Sequence, residues 1–196
     1  MKKIKGVIVG VGGQGIILLT RILGEACVKA NIPIILSEVH GMAQRGGVVE
    51  SSVSIGGKSP YVGEGEADFI IALEPAEALR FVRRAKKEAT FIVNTAKVIP
   101  SLVKDGLGEY PDLEPFFEEV KNYFKNIYFV NAEELAKQAG NVKAVNVVML
   151  GCASGLGILP VSADVIKETI CKLLPERLHE VNLKAFELGY NYFNKN

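Results

Sequence analysis

Apolar residues along the first two thirds of the chain alternate between two spacings. Residues 3–9 form a short run rich in β-branched side chains, which predicts a strand, and residues 16–30 repeat apolar side chains at helical spacing. Strands that alternate with helices are typical of a parallel sheet. The pattern therefore predicts an α/β fold with an open, mostly parallel sheet flanked by helices. Further strands are predicted at residues 32–37, 49–55, 68–73, 90–93 and 127–130.

The last third of the chain is predicted to be a helical C-terminal region. Residues 144–163 contain no charged side chain, but Gly157 and Pro160 end the predicted helix after roughly fifteen residues. At 1.5 Å per residue such a helix is ~22 Å long, shorter than a ~30 Å hydrocarbon core. We therefore predict a helix buried in the protein and no interaction with a membrane. A final helix with an apolar stripe is predicted at residues 178–193.

The uncharged helix contains two glycines and one asparagine among its apolar residues. Gly151 and Gly155 stand four residues apart, which would allow another helix to approach closely. Asn146 lies among apolar residues and needs a hydrogen-bond partner. We interpret it as a satisfied core side chain, with the alternative that it faces a ligand cleft.

Length and composition limit the classes of function. The 196 residues suffice for one core, and we predict a single domain over residues 1–196. The formal net charge is +1, so no nucleic-acid partner is predicted. Three widely separated cysteines without a C-x-x-C pair indicate reduced, buried thiols of a cytoplasmic protein. No second His or Cys stands at ligand spacing from His40, so no metal site is predicted.

A basic run and a proline-rich stretch each allow two interpretations. The basic run RRAKK, residues 83–87, is interpreted as the solvated end of a helix, with the alternative that it steers an acidic partner protein. Residues 98–115 contain three prolines and two glycines with little periodicity. They are interpreted as a loop that only connects two elements, with a functional role as the alternative.

A glycine-rich turn joins the first predicted strand to the first predicted helix. Its sequence GVGGQG places Gly10, Gly12 and Gly15 in a G-x-G-x-x-G pattern, which suits a tight turn and an anion at the helix start. Gly13 and Gln14 add bare backbone and an amide to the same turn. Three interpretations stay open: a structural turn, a dinucleotide site that uses Glu38 for the ribose, or a surface for another ligand or subunit.

The segment SEVHGMAQRGG, residues 37–47, contains more chemistry than a turn requires. Three glycines stand there with an imidazole, a thioether, an amide and a guanidinium. His40 titrates in a range that suits proton transfer, and Arg45 offers a planar fork for a carboxylate or phosphate. The alternative is that His40 and Arg45 brace the loop itself by capping carbonyl groups and pairing with Glu38.

Read together, the two glycine-rich segments resemble those of the γ-type subunits and domains of 2-oxoacid:ferredoxin oxidoreductases. Within that family the chain is most similar to the small (β) subunits of indolepyruvate ferredoxin oxidoreductases, which share the wording EVHGMAQRGG. An acidic EGEAD segment at residues 64–68, an ALEP turn at residues 72–75 and the ending NLKAFELGY at residues 182–190 match as well. The resemblance covers nearly the whole chain.

The resemblance implies a subunit that is not active alone. The implied reaction is oxidative decarboxylation of a 2-oxoacid, such as indolepyruvate or another arylpyruvate, to an acyl-coenzyme A with reduction of ferredoxin. The sequence lacks C-x-x-C, and it lacks the G-D-G with a downstream asparagine that commonly binds thiamine diphosphate. Thiamine diphosphate, magnesium and 4Fe–4S clusters are therefore expected in a large partner subunit, with no cofactor bound by this chain alone. Coenzyme A is the implied co-substrate.

The two glycine-rich loops are the predicted site of this subunit. They are expected to close over the thiamine site of the large subunit and to help admit coenzyme A or the oxoacid. Two other functions stay open: a non-catalytic docking subunit of the same complex, and a stand-alone dinucleotide-binding protein. The predicted catalytic residues are His40 and Arg45. The predicted ligand contacts are Gly10, Gly12, Gly13, Gln14, Gly15, Gly41, Met42, Gln44, Gly46 and Gly47.

Overall fold

Six strands form one sheet. The computed structural model describes residues 2–40 and 46–194, without the side chains of His40, Ser101 and Leu102. The strands are β1 (Ile4–Val11), β2 (Ile34–His40), β3 (Val48–Ile55), β4 (Ala67–Ala72), β5 (Ala85–Asn94) and β6 (Asn126–Val130).

The sheet is open and mostly parallel, as the sequence predicts. Its strand order is β2-β3-β1-β4-β5-β6. The ladders between β1 and β4, between β4 and β5 and between β5 and β6 are parallel. Only β3 runs against its neighbours, because it pairs antiparallel with both β1 and β2. The carboxyl ends of the other five strands therefore meet at one edge of the sheet, beside the start of β3.

Helices cover both faces of the sheet. One core cluster unites β1 residue Ile8 with the first helix and the C-terminal helices, and a second unites Val7 and Val9 with the helices on the other face. Central strands buried on both faces explain the continuous apolar runs in the sequence. The helices are α1 (Ile16–Lys29), α2 (Pro75–Arg80), α3 (Ser101–Lys104), α4 (Glu114–Tyr123), α5 (Ala132–Ala139), α6 (Val145–Gly155), α7 (Ala163–Leu173) and α8 (His179–Tyr190).

Helix α6 is the uncharged helix of the sequence, and it lies at the centre of one helical layer. Nine of its residues, from Val145 to Ala153, are buried. Glycines bring it into backbone contact with α8: a Cβ atom on Gly151 would lie 2.2 Å from the Phe186 carbonyl oxygen. The contact is reciprocal, because a Cβ on Gly189 would lie 2.1 Å from the Val148 carbonyl oxygen. The small residues therefore serve a helix–helix contact within the chain.

The basic run at residues 83–87 is not the end of a helix, and that prediction was wrong. Residues 82–84 form a single 3₁₀ turn, and the next two lysines belong to β5, which begins five residues earlier than predicted. The charges are partly neutralised at this position. The Arg84 guanidinium lies 2.8 Å from the Glu50 carboxylate, and Lys86 pairs with Asp68. These ion pairs across the sheet allow charged residues to continue a strand.

The cysteines lie in helices, as predicted. Cys27 in α1 and Cys152 in α6 are buried, whereas Cys171 in α7 is only half-buried, contrary to the expectation that all three are buried. Burial raises the pKa of the Cys27 thiol to about 11 and that of the Cys152 thiol to about 12, so both stay protonated. Within the described ranges, every helix is too short or too polar to cross a membrane.

We predict that Gly151→Ala destabilises the protein because its methyl group collides with the backbone of α8. A helix-interior Gly→Ala exchange by itself should stabilise by about 1 kcal/mol. Overpacking should outweigh this gain and lower the free energy of unfolding by about 1–3 kcal/mol in urea titrations. The control is Gly108→Ala, where a Cβ meets no atom within 4 Å. A Gly151→Ala protein as stable as the control would show that α6 and α8 do not touch as described.

Candidate functional site

The two glycine-rich loops lie side by side. The backbone N–H of Gly12 donates to the carbonyl oxygen of Gly47 at 2.8 Å, and the N–H of Gly46 donates to the carbonyl oxygen of Gly12 at 3.4 Å. These bonds extend the antiparallel ladder of β1 and β3 beyond its last paired residues, Val11 and Val48. The sequence segments predicted to meet are therefore in direct backbone contact at the carboxyl edge of the sheet.

Gln14 is committed to its own chain. Its Oε1 atom accepts a hydrogen bond from the backbone N–H of Val11 at 2.7 Å, and its Nε2 atom donates to the carbonyl oxygen of Leu73 at 2.9 Å. A Cβ on Gly10 would lie 2.6 Å from the same Oε1 atom, so the glycine makes room for the amide. In this structure Gln14 and Gly10 join β1 to the end of β4 rather than reach outward.

Asn146 closes the turn from the other side. Gly15 precedes α1 in a left-handed conformation with φ 79°, and its carbonyl oxygen accepts a hydrogen bond from Asn146 Nδ2 at 3.0 Å. A Cβ on Gly15 would lie 2.6 Å from that nitrogen. Asn146 is 2% exposed, and its Nδ2 atom has a partner within the chain, as expected of a core side chain.

Bare backbone remains at the outer part of the loops. Gly13 has φ 105° and Gly46 has φ 79°, values that L side chains rarely adopt, and a Cβ on either would meet no atom within 4 Å. Gly12 joins the two loops, because its backbone is hydrogen-bonded to Gly46 and Gly47 of the second loop. An approaching molecule could therefore touch main chain at Gly12, Gly13 and Gly46 without displacing a side chain.

Several predicted site residues fall outside the described part of the chain. Gly41, Met42, Gln44 and Arg45 belong to the stretch that the structure does not describe. The backbone of His40 ends β2, where it pairs with Val49, but its side chain is not described. The catalytic roles of His40 and Arg45 stay predictions.

The position of Glu38 argues against a dinucleotide site of the usual kind. In such a site the acid that binds the ribose ends the strand next to β1. Here β3 lies between β1 and β2, so Glu38 pairs with Ser51 of β3 and stands two strands, or ~10 Å, away from β1. The inserted antiparallel strand thus separates the acid from the glycine-rich turn.

A cleft of about 480 Å³ opens beside the glycine loops. It lies at the carboxyl ends of β1 and β4, whose following helices α1 and α2 cover opposite faces of the sheet; such a point is where open α/β sheets bind ligands. The lining comes from the loops (Val11, Gly12, Gly46, Val48), from the start of α2 (Glu74, Ala76, Glu77, Arg80) and from a connecting segment, residues 98–111 (Val98, Ile99, Pro100, Val103, Lys104, Glu109, Tyr110, Pro111).

Glu74 holds the connecting segment against the cleft. Its carboxylate is 2% exposed and caps α2 by accepting a hydrogen bond from the N–H of Glu77 at 3.2 Å. The other carboxylate oxygen accepts from the N–H of Val98 at 3.4 Å and from the hydroxyl of Tyr110. One buried carboxylate therefore joins the start of a helix to both ends of the segment.

Burial and neighbouring charges keep the Tyr110 hydroxyl and the Glu77 carboxyl more strongly protonated than in water. Burial and the neighbouring Glu74 carboxylate raise the pKa of the Tyr110 hydroxyl above its usual range, so the hydroxyl stays protonated and remains a donor. Burial also raises the pKa of the Glu77 carboxyl, while Arg80, whose Nε lies 3.0 Å away, opposes that effect. Among the described residues, no group of three His, Cys, Asp or Glu side chains could hold a metal ion.

Lining the cleft is not the role that the sequence pattern favours for the connecting segment. Residues 98–115 favour a plain connection, with a functional role as the alternative, because prolines and glycines hide any periodicity. The usable signal was Glu74, an acid placed between a strand and a helix-opening proline. An acid at that position caps the helix, and its second oxygen is free to bind another segment.

We predict that Tyr110→Phe loosens the connecting segment without unfolding the protein. Loss of a hydrogen bond to a buried carboxylate costs about 1.5–3 kcal/mol. Amide hydrogens of residues 98–111 should therefore exchange roughly ten-fold faster, while those of the central strands keep their protection. The matched control is Tyr123→Phe, at a tyrosine that is 65% exposed on α4. Equal exchange in the two variants would contradict the role assigned to the Tyr110 hydroxyl.

Comparison with known sequences gives a match along nearly the whole chain. The family model described as pyruvate ferredoxin/flavodoxin oxidoreductase matches residues 6–192. The indolepyruvate oxidoreductase subunit IorB of Archaeoglobus fulgidus is 41% identical over 186 residues, which cover 94% of this chain and 92% of the relative. The range matched by the family model spans both glycine-rich loops and the connecting segment.

Comparison with solved structures confirms the fold. The γ subunit of a keto/oxoacid ferredoxin oxidoreductase from Geobacter sulfurreducens superposes with a TM-score of 0.71 at 24% identity, over 96% of both chains. A 2-oxoglutarate:ferredoxin oxidoreductase from Magnetococcus marinus, solved with 2-oxoglutarate, coenzyme A and succinyl-CoA, gives a TM-score of 0.72 at 20% identity. It is matched over 96% of this chain but only 30% of its own. With its sequence match over residues 6–192, the chain belongs to the pyruvate ferredoxin/flavodoxin oxidoreductase family.

Proposed function

We propose that this chain is the small subunit of an indolepyruvate:ferredoxin oxidoreductase. The enzyme would convert indolepyruvate or another arylpyruvate, with coenzyme A, into an acyl-coenzyme A and carbon dioxide while two electrons pass to ferredoxin. The observation that carries the proposal is the 41% identity to the IorB subunit over 92% of that relative. We also propose that residues 1–196 act as one γ-type domain within this complex.

In this proposal the large subunit carries the redox chemistry. Thiamine diphosphate, magnesium and 4Fe–4S clusters belong to it, and ferredoxin is the electron acceptor. The Magnetococcus relative supports such a division, because this chain corresponds to 30% of that longer chain. Thiamine diphosphate supplies the carbanion chemistry of decarboxylation when bound. The small subunit would contribute binding surface, orientation and exclusion of water.

We assign the small subunit a role in admitting coenzyme A or the oxoacid through the cleft. The bare main chain of Gly12 and Gly46 forms one wall, where no side chain blocks close approach of a ligand, and Lys104 offers a cation at another. A volume of about 480 Å³ lies within the range of small-molecule sites. The coenzyme A present in the Magnetococcus structure supports this choice of ligand. His40 and Arg45 remain the proposed catalytic contacts of the adjoining loop.

A docking subunit without a ligand role is the second candidate. It is favoured by the contacts of Gln14 and Asn146, which occupy the inner part of the glycine turn with side chains of the same chain. In that case variants of the cleft would change the amount of assembled complex but not the turnover of each complex.

We predict that the chain copurifies with the large subunit and that the complex reduces a viologen dye with indolepyruvate and coenzyme A. Neither subunit alone should support the reaction. Among indolepyruvate, phenylpyruvate, pyruvate and 2-oxoglutarate, the two arylpyruvates should have the highest kcat/KM, measured under anaerobic conditions. A preference for pyruvate or 2-oxoglutarate would refute the substrate assignment.

We predict that Lys104→Gln raises the KM for coenzyme A about three- to ten-fold with little change in kcat, because a cation that binds phosphate equally in ground and transition states affects binding alone. The matched control is Lys125→Gln, at an exposed lysine outside the cleft. Normal kinetics of the Lys104 variant with reduced assembly would favour the docking function instead.

A further inference from the structure

A second pocket lies on the opposite face of the sheet from the cleft. Its volume is about 340 Å³, and it is bordered by the first turn of α1, the start of α6 and residues 174–182. Asn146, which contacts the glycine turn from inside the core, forms part of its wall. The pocket shares no lining residue with the cleft.

Apolar side chains form one wall of this pocket. Leu18 of α1, Leu174 and Leu178 are only partly buried and line the space. Leu18 and Leu174 pack against the core cluster with their inner sides. Branched side chains held in this way present a fixed apolar surface to a flat ring.

Amide side chains form a second wall. Asn146 is 2% exposed and Asn182 is 6% exposed. Each uses one N–H on a backbone carbonyl, of Gly15 at 3.0 Å and of Leu178 at 2.8 Å. Among the described residues, neither amide oxygen accepts a hydrogen bond. Buried amides with unused capacity can recognise a ligand that both donates and accepts hydrogen bonds, as a nucleobase edge does.

Cations stand at the rim of the pocket. Lys143 and Arg177 line it, and within the described ranges neither takes part in an ion pair. None of the described lining residues is acidic. The eleven-residue helix α6 starts here with no acid in its first turn and no side-chain cap, so its dipole adds positive potential. The positive electrostatic potential at the rim of the pocket therefore favours an anion.

We propose that this pocket binds a purine nucleotide. The leucines would cover the base, the buried asparagines would meet its donor and acceptor edge, and Lys143 and Arg177 would pair with the phosphates. The volume falls within the range of small-molecule sites. The site is independent of the proposed cleft function, because it uses different residues on the other face of the sheet.

The first test is titration of the full chain with ADP by isothermal calorimetry, comparing wild type with Asn141→Asp. Asn141 lines the pocket and caps the N–H of Lys143 at 2.9 Å, a role that an aspartate fills equally well. The variant should keep its stability but bind ADP roughly ten-fold more weakly, because a carboxylate faces the phosphates. The matched control is Asn131→Asp, which caps Glu134 in the same way away from the pocket.

A second pair of variants removes the cations instead of adding a charge. The double substitution Lys143→Gln and Arg177→Gln should weaken ADP binding at least ten-fold, whereas Lys184→Gln on α8 should not change it. Pyrophosphate and adenosine should each bind more weakly than ADP, because each lacks one half of the ligand. Absence of saturable ADP binding, binding unaffected by Asn141→Asp, or equal affinity for pyrophosphate and ADP would each overturn the proposal.

Competition between ADP and coenzyme A distinguishes a free nucleotide from the nucleotide half of coenzyme A as the ligand. Displacement of ADP by coenzyme A, lost in Asn141→Asp, would assign the pocket to the nucleotide half of coenzyme A. Retention of ADP would assign it to a free nucleotide. Failure of the cleft function is separable, because Lys104→Gln should leave the affinity for ADP unchanged.

Discussion

The antiparallel pairing of β3 with β1 is the constraint on which the site depends. Eight residue pairs, from Ile4 with Ile55 to Val11 with Val48, hold the two strands in register. Because the register fixes Val48 beside Val11, the loop that enters β3 must run next to the loop that leaves β1. The backbone bonds of Gly12 with Gly46 and Gly47 are the direct result. Two segments more than thirty residues apart in sequence thereby share one surface.

Side chains from the core then make that surface rigid. Gln14 ties the turn to the end of β4, and Asn146 ties it to α6. Helix α6 is in turn held by α8 through glycines that leave no space for a methyl group. The glycine-rich turn is thus positioned by contacts with parts of the chain that are distant in sequence. Preorganisation of this kind is what a subunit can contribute when the reactive groups belong to its partner.

The sequence predicted the elements better than their arrangement. Strand and helix periodicity located β1, α1 and α8, because these features depend on neighbouring residues. The insertion of β3 between β1 and β2 could not be foreseen, since strand order depends on contacts between distant segments. For the same reason the sequence did not show that Gln14 turns inward, that β5 begins at Ala85, or that Tyr110 reaches Glu74.

Because of the way the connecting segment is attached, the size of the cleft does not depend on the register of the sheet. Residues 98–111 supply half of its lining, yet no strand belongs to them, and their two ends meet at a single carboxylate. Insertions or deletions within this stretch would change the dimensions of the opening while the register of all six strands stayed the same. Homologous subunits could in this way diversify in ligand size by varying loop length, and protein engineers could graft alternative segments between the same two anchor points.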